Sequence, residues 1–173
     1  MKHHATVAAC SLALLLGATQ AEAMTVVYNL TLSGTEAVPA NASTAFGSAT
    51  VTVDDVADTV GVVMSFTGLT GGNANAAHIH CCVATTANGP VVIPFTGFPT
   101  TTSGTYSNLF TGVSPANIAG IEAGLAYINI HNAIFPGGEI RGNILSPVPE
   151  PASYALFALG LLALGGAARH RRR

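Results

Sequence analysis

The sequence predicts an all-β domain of antiparallel strands, arranged as a sandwich or as a small Greek-key barrel. Short segments alternate branched or aromatic residues with small polar ones, which is the two-residue period of a strand with one buried face. Segments rich in Gly, Asn, Asp and Pro separate them as turns. Roughly eight such strands follow one another at intervals of about 10 to 15 residues, as in antiparallel sandwiches and barrels.

Three long strands are predicted first, in TVVYNLTLSG, FGSATVTVD and TVGVVMSFTGL, and the turns after them are PANAS, DDVAD and TGGNAN. Five shorter strands follow, in AHIHCC, GPVVIPF, SGTYSNLF, LAYINIHN and GEIRGNIL. One short helix is predicted in SPANIAGIEAG, where Ser114 caps the first turn, Pro115 fits it and Gly124 ends the helix.

Residues 1–23 have the pattern of a signal peptide. Lys2 precedes a short apolar run, and Ala21, Glu22 and Ala23 form the small-x-small pattern that signal peptidase cleaves. The run is too short to cross a bilayer. We therefore expect export of the chain and cleavage after Ala23.

Residues 148–173 combine a Pro-Glu-Pro turn, an apolar run over residues 152–168 and an arginine-rich end. At about 1.5 Å per residue the run reaches roughly 25 Å, enough for one transmembrane helix in a thin membrane. The positive-inside rule keeps the basic end in the cytoplasm. The sequence therefore predicts a single span that tethers the exported domain to the inner membrane.

This tail resembles the PEP-CTERM sorting signal of Gram-negative bacteria, and the residues that carry the resemblance are Val148, Pro149, Glu150 and Pro151. The resemblance implies that an exosortase-type membrane peptidase removes the tail. The domain would then reach the cell surface or an extracellular matrix. A plain tail anchor is the alternative interpretation, and both interpretations export the domain.

The domain between these ends, residues 24–147, is poor in charge. It has six acidic side chains against a single cation, Arg141, and no lysine, so its net charge is near −5. Nucleic acid is excluded as an expected partner, because such a domain has no cations to neutralise phosphates.

Three histidines remain in this domain, within two short segments. Successive side chains of a strand point to opposite faces, so His78 and His80 share one face and Ile79 points to the other. In YINIH, His131 likewise lies on a polar face opposite the isoleucines. If the two strands are neighbours, three imidazoles converge into a site that suits copper, zinc or nickel. The alternative is a hydrogen-bonded polar patch without metal.

The segment GGEIRG carries a pair of charges. Glu139 and Arg141 flank Ile140 and share a face, so we expect a structural ion pair that fixes the strand register. Glu36 or Glu122 is the alternative partner of the arginine. A further alternative is an arginine that guides anions to a metal.

Cys81 and Cys82 are adjacent in the sequence. In an exported protein an even pair of cysteines is expected to be oxidised. A vicinal disulfide is therefore the favoured interpretation. Thiolate ligands that supplement the histidines and bridges to another chain are the alternatives.

A family resemblance covers nearly all of the domain and is carried by LSGTEAVPANASTAFGSATVTVD, AHIHCC, NGPVVIPF and AGLAYINIHNAIFPGGEIRGNI. In order and spacing these segments resemble the CHRD domain, named after chordin. The resemblance implies an antiparallel Greek-key β-sandwich, immunoglobulin-like or Cu,Zn superoxide dismutase-like, without established enzymatic activity. A weaker resemblance to Cu/Zn superoxide dismutases implies copper at His78, His80 and His131, whereas the zinc ligands of those enzymes have no counterpart.

The expected function is that of an exported CHRD-domain binding or structural module, not an enzyme. Its processing partners would be signal peptidase and an exosortase-type peptidase, and its final partners exopolysaccharide or surface proteins. The alternative is a metal-binding or dismutase-like domain with one copper or zinc ion at three histidines. That domain could act as a copper-dependent oxidoreductase.

Overall fold

The computed structural model describes residues 25–145, which form eight antiparallel strands and one α-helix. The predicted cleavage site at Ala23 and the predicted tail over residues 148–173 lie outside these residues. Within residues 25–145, no helix is long and apolar enough to span a membrane. The prediction of an all-β antiparallel domain with one short helix is confirmed.

The strands are β1 Thr25–Ser33, β2 Phe46–Asp54, β3 Thr59–Thr67, β4 Ala76–Cys81, β5 Val91–Pro94, β6 Gly104–Thr111, β7 Ala126–His131 and β8 Ile140–Ile144. The helix α1, Pro115–Glu122, lies between β6 and β7. A short 3-10 turn over Gly34–Glu36, which follows β1, was not predicted from the sequence.

The eight strands form a nearly closed sheet in the order β5-β4-β7-β8-β1-β2-β3-β6. Its two halves of four strands are joined between β1 and β8 by a single residue pair, Ser33 and Arg141. β1, β2 and β3 are consecutive neighbours in one half, whereas the chain changes halves between β3 and β4, between β5 and β6, and between β6 and β7. This alternation between halves gives the predicted Greek-key sandwich.

Both halves direct their apolar side chains into one core. The fully buried members include Val51, Val53, Val60 and Val62 from one half and Ile79, Ile128, Ile130 and Ile140 from the other. Where the edge strands β5 and β6 face each other, stacked aromatic rings take the place of strand pairing. Phe95, just after β5, packs on Tyr106 and Phe110 of β6 with ring centroids 5.0 and 5.7 Å apart.

The helix forms as its sequence predicts. The side chain of Ser114 accepts a hydrogen bond from the backbone N–H of Asn117, and Pro115 occupies the first turn. Ile118 and Ile121 are buried, and Gly124 follows the last turn with a φ of 73°. α1 therefore covers one end of the core next to β4.

Glu139 ties three separate segments together just before β8. Its carboxylate accepts hydrogen bonds from Ser43 Oγ (2.5 Å), from the N–H and Oγ1 of Thr70 (both 2.7 Å), from the N–H of Gly71 (3.1 Å) and from Asn132. Burial raises the pKa of Glu139, but the hydrogen bonds from Ser43, Thr70 and Gly71 outweigh it and hold that pKa below its ordinary 4.5. The carboxylate is thus ionised and binds the two long loops to the β7–β8 turn.

Replacing Glu139 with alanine is expected to destabilise the fold strongly, because it leaves several buried donors without an acceptor. We expect Glu139→Ala to lower the free energy of unfolding by about 3 kcal/mol in chemical denaturation. Glu36→Ala is the matched control, since Glu36 is exposed and accepts one bond, from Asn143; its effect should stay below about 1 kcal/mol. Equal losses for the two variants would contradict this account of Glu139.

A candidate metal centre

The strands β4 and β7 are direct neighbours, and their register brings the predicted histidines together. Ala76 pairs with His131, His78 with Asn129, and His80 with Tyr127. Because side chains at paired positions lie on the same face, the polar residues of both strands share the outer face of this half. The isoleucines between them fill the core.

The three imidazoles converge on one region. One ligand nitrogen from each of His78, His80 and His131 lies within 4.8 Å of the other two. His78 Nδ1 is 3.2 Å from His131 Nε2. His80 Nε2 is buried and has no hydrogen-bond partner, although it is a strongly polar atom. A buried nitrogen of this kind fits a ligand position for a cation.

Two backbone carbonyls fix which nitrogen of each ring is available. His80 Nδ1 lies 2.8 Å from the carbonyl oxygen of Gly89, and His131 Nδ1 lies 2.9 Å from that of Pro136. A carbonyl oxygen only accepts, so each Nδ1 carries the hydrogen and donates it. In the neutral ring each Nε2 then presents a lone pair to the cluster. Metal-binding histidines are usually held in this way, by a hydrogen bond from the other ring nitrogen to a carbonyl oxygen.

The loop between β4 and β5 covers the cluster and holds His80 in place. The N–H of Gly89 donates to the hydroxyl of Tyr127 (3.1 Å), whose ring is parallel to that of His80 with centroids 4.8 Å apart. A Cβ atom at position 89 would lie 2.8 Å from the carbonyl oxygen of Cys81, so only glycine fits there. The loop thus orients Tyr127 and His80 through one residue.

Arg141 holds this loop in place through hydrogen bonds to its backbone. Its guanidinium lies 3.5 Å from the centre of the Tyr127 ring and donates to the carbonyl oxygens of Thr85 (2.8 Å) and Ala87 (3.0 Å). The side chain is 1% exposed. Burial lowers the pKa of Arg141, and the neighbouring Tyr127 and Glu36 act in the opposite direction. Because the guanidinium is enclosed and engaged, it is not placed to guide anions from solvent.

The structure gives Glu139 and Arg141 other partners in place of the expected ion pair. Glu139 lies before the first residue of β8 and binds the loops described above, while Arg141 lies within β8 on the outer face. Arg141 also donates to Asn143 Oδ1, and Asn143 Nδ2 donates to Glu36 at 3.0 Å. The alternative partner Glu36 is thus reached through an intervening amide.

Cys81 and Cys82 are joined by a disulfide, with their sulfur atoms 2.15 Å apart. Cys81 is the last residue of β4 and points into the core, whereas Cys82 is exposed and has a φ of 89°. The N–H groups of Cys82 and Val83 both approach the carbonyl oxygen of Leu125. The oxidised sulfurs are not thiolate ligands, and the covering loop begins at the disulfide.

The surroundings of His78 and His131 lower the pKa of both rings and so favour the neutral form, which is the form that binds metal. Burial, followed by the proximity of His131 and His80, lowers the pKa of His78 from 6.5 to about 4. Burial and His80 also lower the pKa of His131, and its bond to the Pro136 carbonyl opposes that shift in part.

Some of these residues had a signal in the sequence and others had none. Tyr127 and Asn129 share the face of His131 by the two-residue period, so their proximity to the cluster was foreseeable. Gly89 and Pro136 act through backbone carbonyl groups. No side-chain pattern marks such positions.

The lowered pKa of His78 has a consequence for stability in the metal-free protein. As the pH falls below 6.5, His78 becomes protonated in the unfolded chain, whereas in the folded protein it stays neutral down to about pH 4. Stability should therefore fall as pH decreases through that window. Thermal unfolding between about pH 7 and pH 5 should show a smaller decrease for His78→Asn than for the wild type. An unchanged slope would contradict the prediction.

Comparisons with known proteins give two matches along the chain. The family model of the CHRD domain matches residues 28–144, and that of the PEP-CTERM protein-sorting motif matches residues 147–173. Comparison with curated proteins and with solved structures gives no match. The sorting motif indicates an exported protein of a Gram-negative bacterium that an exosortase, a membrane peptidase, processes. The chain belongs to the CHRD domain family.

Proposed function

We propose that the exported domain is a metal-binding module that holds one transition-metal ion at His78, His80 and His131. The observation that carries the proposal is the convergence of three ligand nitrogens within 4.8 Å, one of them buried without a partner. Neutral imidazoles suit copper and zinc, two of the three metals that the histidine pattern suggested. A hydrogen-bonded patch without metal would instead be expected to give His80 Nε2 a partner.

The hydrogen bonds that hold the rings support the same proposal. In metal-binding histidines the N–H of the other ring nitrogen usually donates a hydrogen bond to a carbonyl or carboxylate oxygen, and His80 and His131 both do so here. Donor nitrogens around one ion with bonds of about 2.0–2.1 Å lie roughly 2.9–3.4 Å apart. The separation of 3.2 Å between His78 and His131 fits that range, whereas the cluster as a whole extends to 4.8 Å. Binding would draw the rings slightly closer.

Binding, rather than catalysis, is the activity we propose. Within residues 25–145 the three histidines are the one group of His, Cys, Asp or Glu side chains close enough to share an ion. Arg141, the only cation of that range, is buried behind Tyr127 and bonded to loop carbonyls. The position of Arg141 therefore does not support an arginine that guides anions to the metal, as a dismutase-like site would use it.

We further propose that the processed domain resides at the cell surface or in an extracellular matrix, where exopolysaccharide or surface proteins are the partners to test. The signal peptide pattern of residues 1–23 and the sorting motif support delivery beyond the inner membrane. The lack of lysine and the excess of acidic residues disfavour retention on anionic lipid.

Metal binding is tested by titrating Zn²⁺ and Cu²⁺ into the full chain after export to the periplasm, with bound metal measured by elemental analysis. We expect the wild type to bind about one equivalent. His131→Ala should bind at least ~100-fold more weakly, because removing a ligand costs more affinity than removing a group that only hydrogen-bonds to a ligand. Asn108→Ala on β6, in the other half of the sheet, is the control and should bind as the wild type does. Failure of the wild type to retain either metal would refute the proposal.

The location is tested by fractionating cells that carry the native exosortase. Replacing Pro149 and Glu150 together with alanine should leave the protein in the membrane fraction, because the peptidase no longer recognises its motif. The wild-type domain should be recovered from the surface or the medium, without its tail by mass spectrometry. Recovery of both proteins in the same fraction would contradict the proposed release.

A further inference from the structure

We propose that Asn129 is a fourth ligand of the metal ion, through its side-chain oxygen Oδ1. The inference rests on the proposed function, because it extends the ligand set of the same site. Three imidazole nitrogens and one amide oxygen form an N3O set. Such a set favours a divalent ion such as Zn²⁺ or Cu²⁺ over Cu⁺, which prefers softer ligands.

Asn129 occupies the centre of the histidine face. It pairs with His78 across β4 and β7, and it precedes His131 by two residues on the same face. Its side chain is 3% exposed, and Oδ1 lies 2.9 Å from His131 Nε2. An amide oxygen is thus enclosed beside the nitrogen that the site presents to a metal.

The contact between Asn129 and His131 places two acceptors against each other. His131 Nδ1 donates its hydrogen to the carbonyl oxygen of Pro136, so Nε2 of the neutral ring carries a lone pair. Asn129 Oδ1 carries lone pairs and no hydrogen. At 2.9 Å these atoms repel each other unless a positive charge lies between them. A bound cation converts this repulsion into two coordinate bonds.

Turning the amide around does not remove the conflict. Nδ2 of Asn129 donates to the carbonyl oxygen of Gly137 at 3.4 Å, a long hydrogen bond. In the reversed orientation Nδ2 would face His131, but Oδ1 would then face the Gly137 oxygen, again acceptor against acceptor. Without a cation, neither orientation satisfies both ends of the side chain.

The separations match those of ligands around one ion. Bonds of about 2.0–2.1 Å, at angles between 90° and tetrahedral, place neighbouring donors roughly 2.9–3.4 Å apart. The 2.9 Å between Asn129 Oδ1 and His131 Nε2 and the 3.2 Å between His131 Nε2 and His78 Nδ1 both fall in this range. The two separations that involve His131 Nε2 are therefore already those of ligands around one ion.

Two substitutions at position 129 distinguish an amide that coordinates the metal from one that only supports the fold. Zn²⁺ affinity of the full exported chain is measured by competition with a chromophoric chelator, and Co²⁺ is used as an absorption probe of coordination. Asn129→Ala should weaken Zn²⁺ binding by about 10-fold and shift the Co²⁺ visible bands as water replaces the amide. Asn129→Asp, which keeps the shape and adds a charged oxygen, should strengthen binding by at least about 10-fold.

Asn29→Asp is the matched control, because it adds the same charge on the exposed side of β1, in the other half of the sheet, and keeps the oxygen that accepts from Thr50. Its Zn²⁺ affinity should stay within about 3-fold of the wild type, well short of the effect of a ligand. The proposal is overturned if both substitutions at 129 weaken binding alike, or if neither changes the affinity or the Co²⁺ spectrum while His131→Ala still abolishes binding. If the wild type binds neither Zn²⁺ nor Co²⁺, the metal-binding function itself fails, which is a distinguishable result.

Discussion

The pairing of β4 with β7 determines where the histidine cluster forms and on which face of the sheet it lies. In both strands apolar residues that face the core alternate with polar residues. Burying Ile79, Ile128 and Ile130 therefore forces the polar side chains onto the outer face. A shift of β4 by one residue would turn His78 and His80 into the core and expose Ile79. The apolar core therefore sets the geometry of the polar cluster, although no member of the cluster belongs to it.

A second layer of contacts encloses His80 and Tyr127 on this face, while His78 and His131 stay half-buried. The loop between β4 and β5 starts at the disulfide of Cys81 and Cys82 and lies over the outer face through Gly89. From the opposite side, Arg141 supports Tyr127 and binds the same loop. The result is a continuous stack of guanidinium, phenol ring and imidazole, in which each member limits the motion of the next.

The sequence predicted the features that depend on local periodicity, but it did not predict contacts between segments that are distant in the chain. The strands, the helix α1 with its cap Ser114, and the shared face of His78 and His80 all follow from patterns within a few residues. The predicted histidine cluster required β4 and β7 to be neighbours, and the sequence could not establish this because periodicity does not reveal which strands pair. Apart from Asn132 and Asn143, the side-chain partners of Glu139 and Arg141 lie 53 to 96 residues away in loops, and such distant partners leave no local pattern.

The burial of Arg141 also bears on how the exported domain resists proteases. Between residues 25 and 145 there is no lysine, and the single arginine is 1% exposed. Proteases of the trypsin type cut only after a basic side chain, which must first enter their specificity pocket. The folded domain offers them no such side chain, so it resists this class of enzyme for as long as Arg141 remains enclosed.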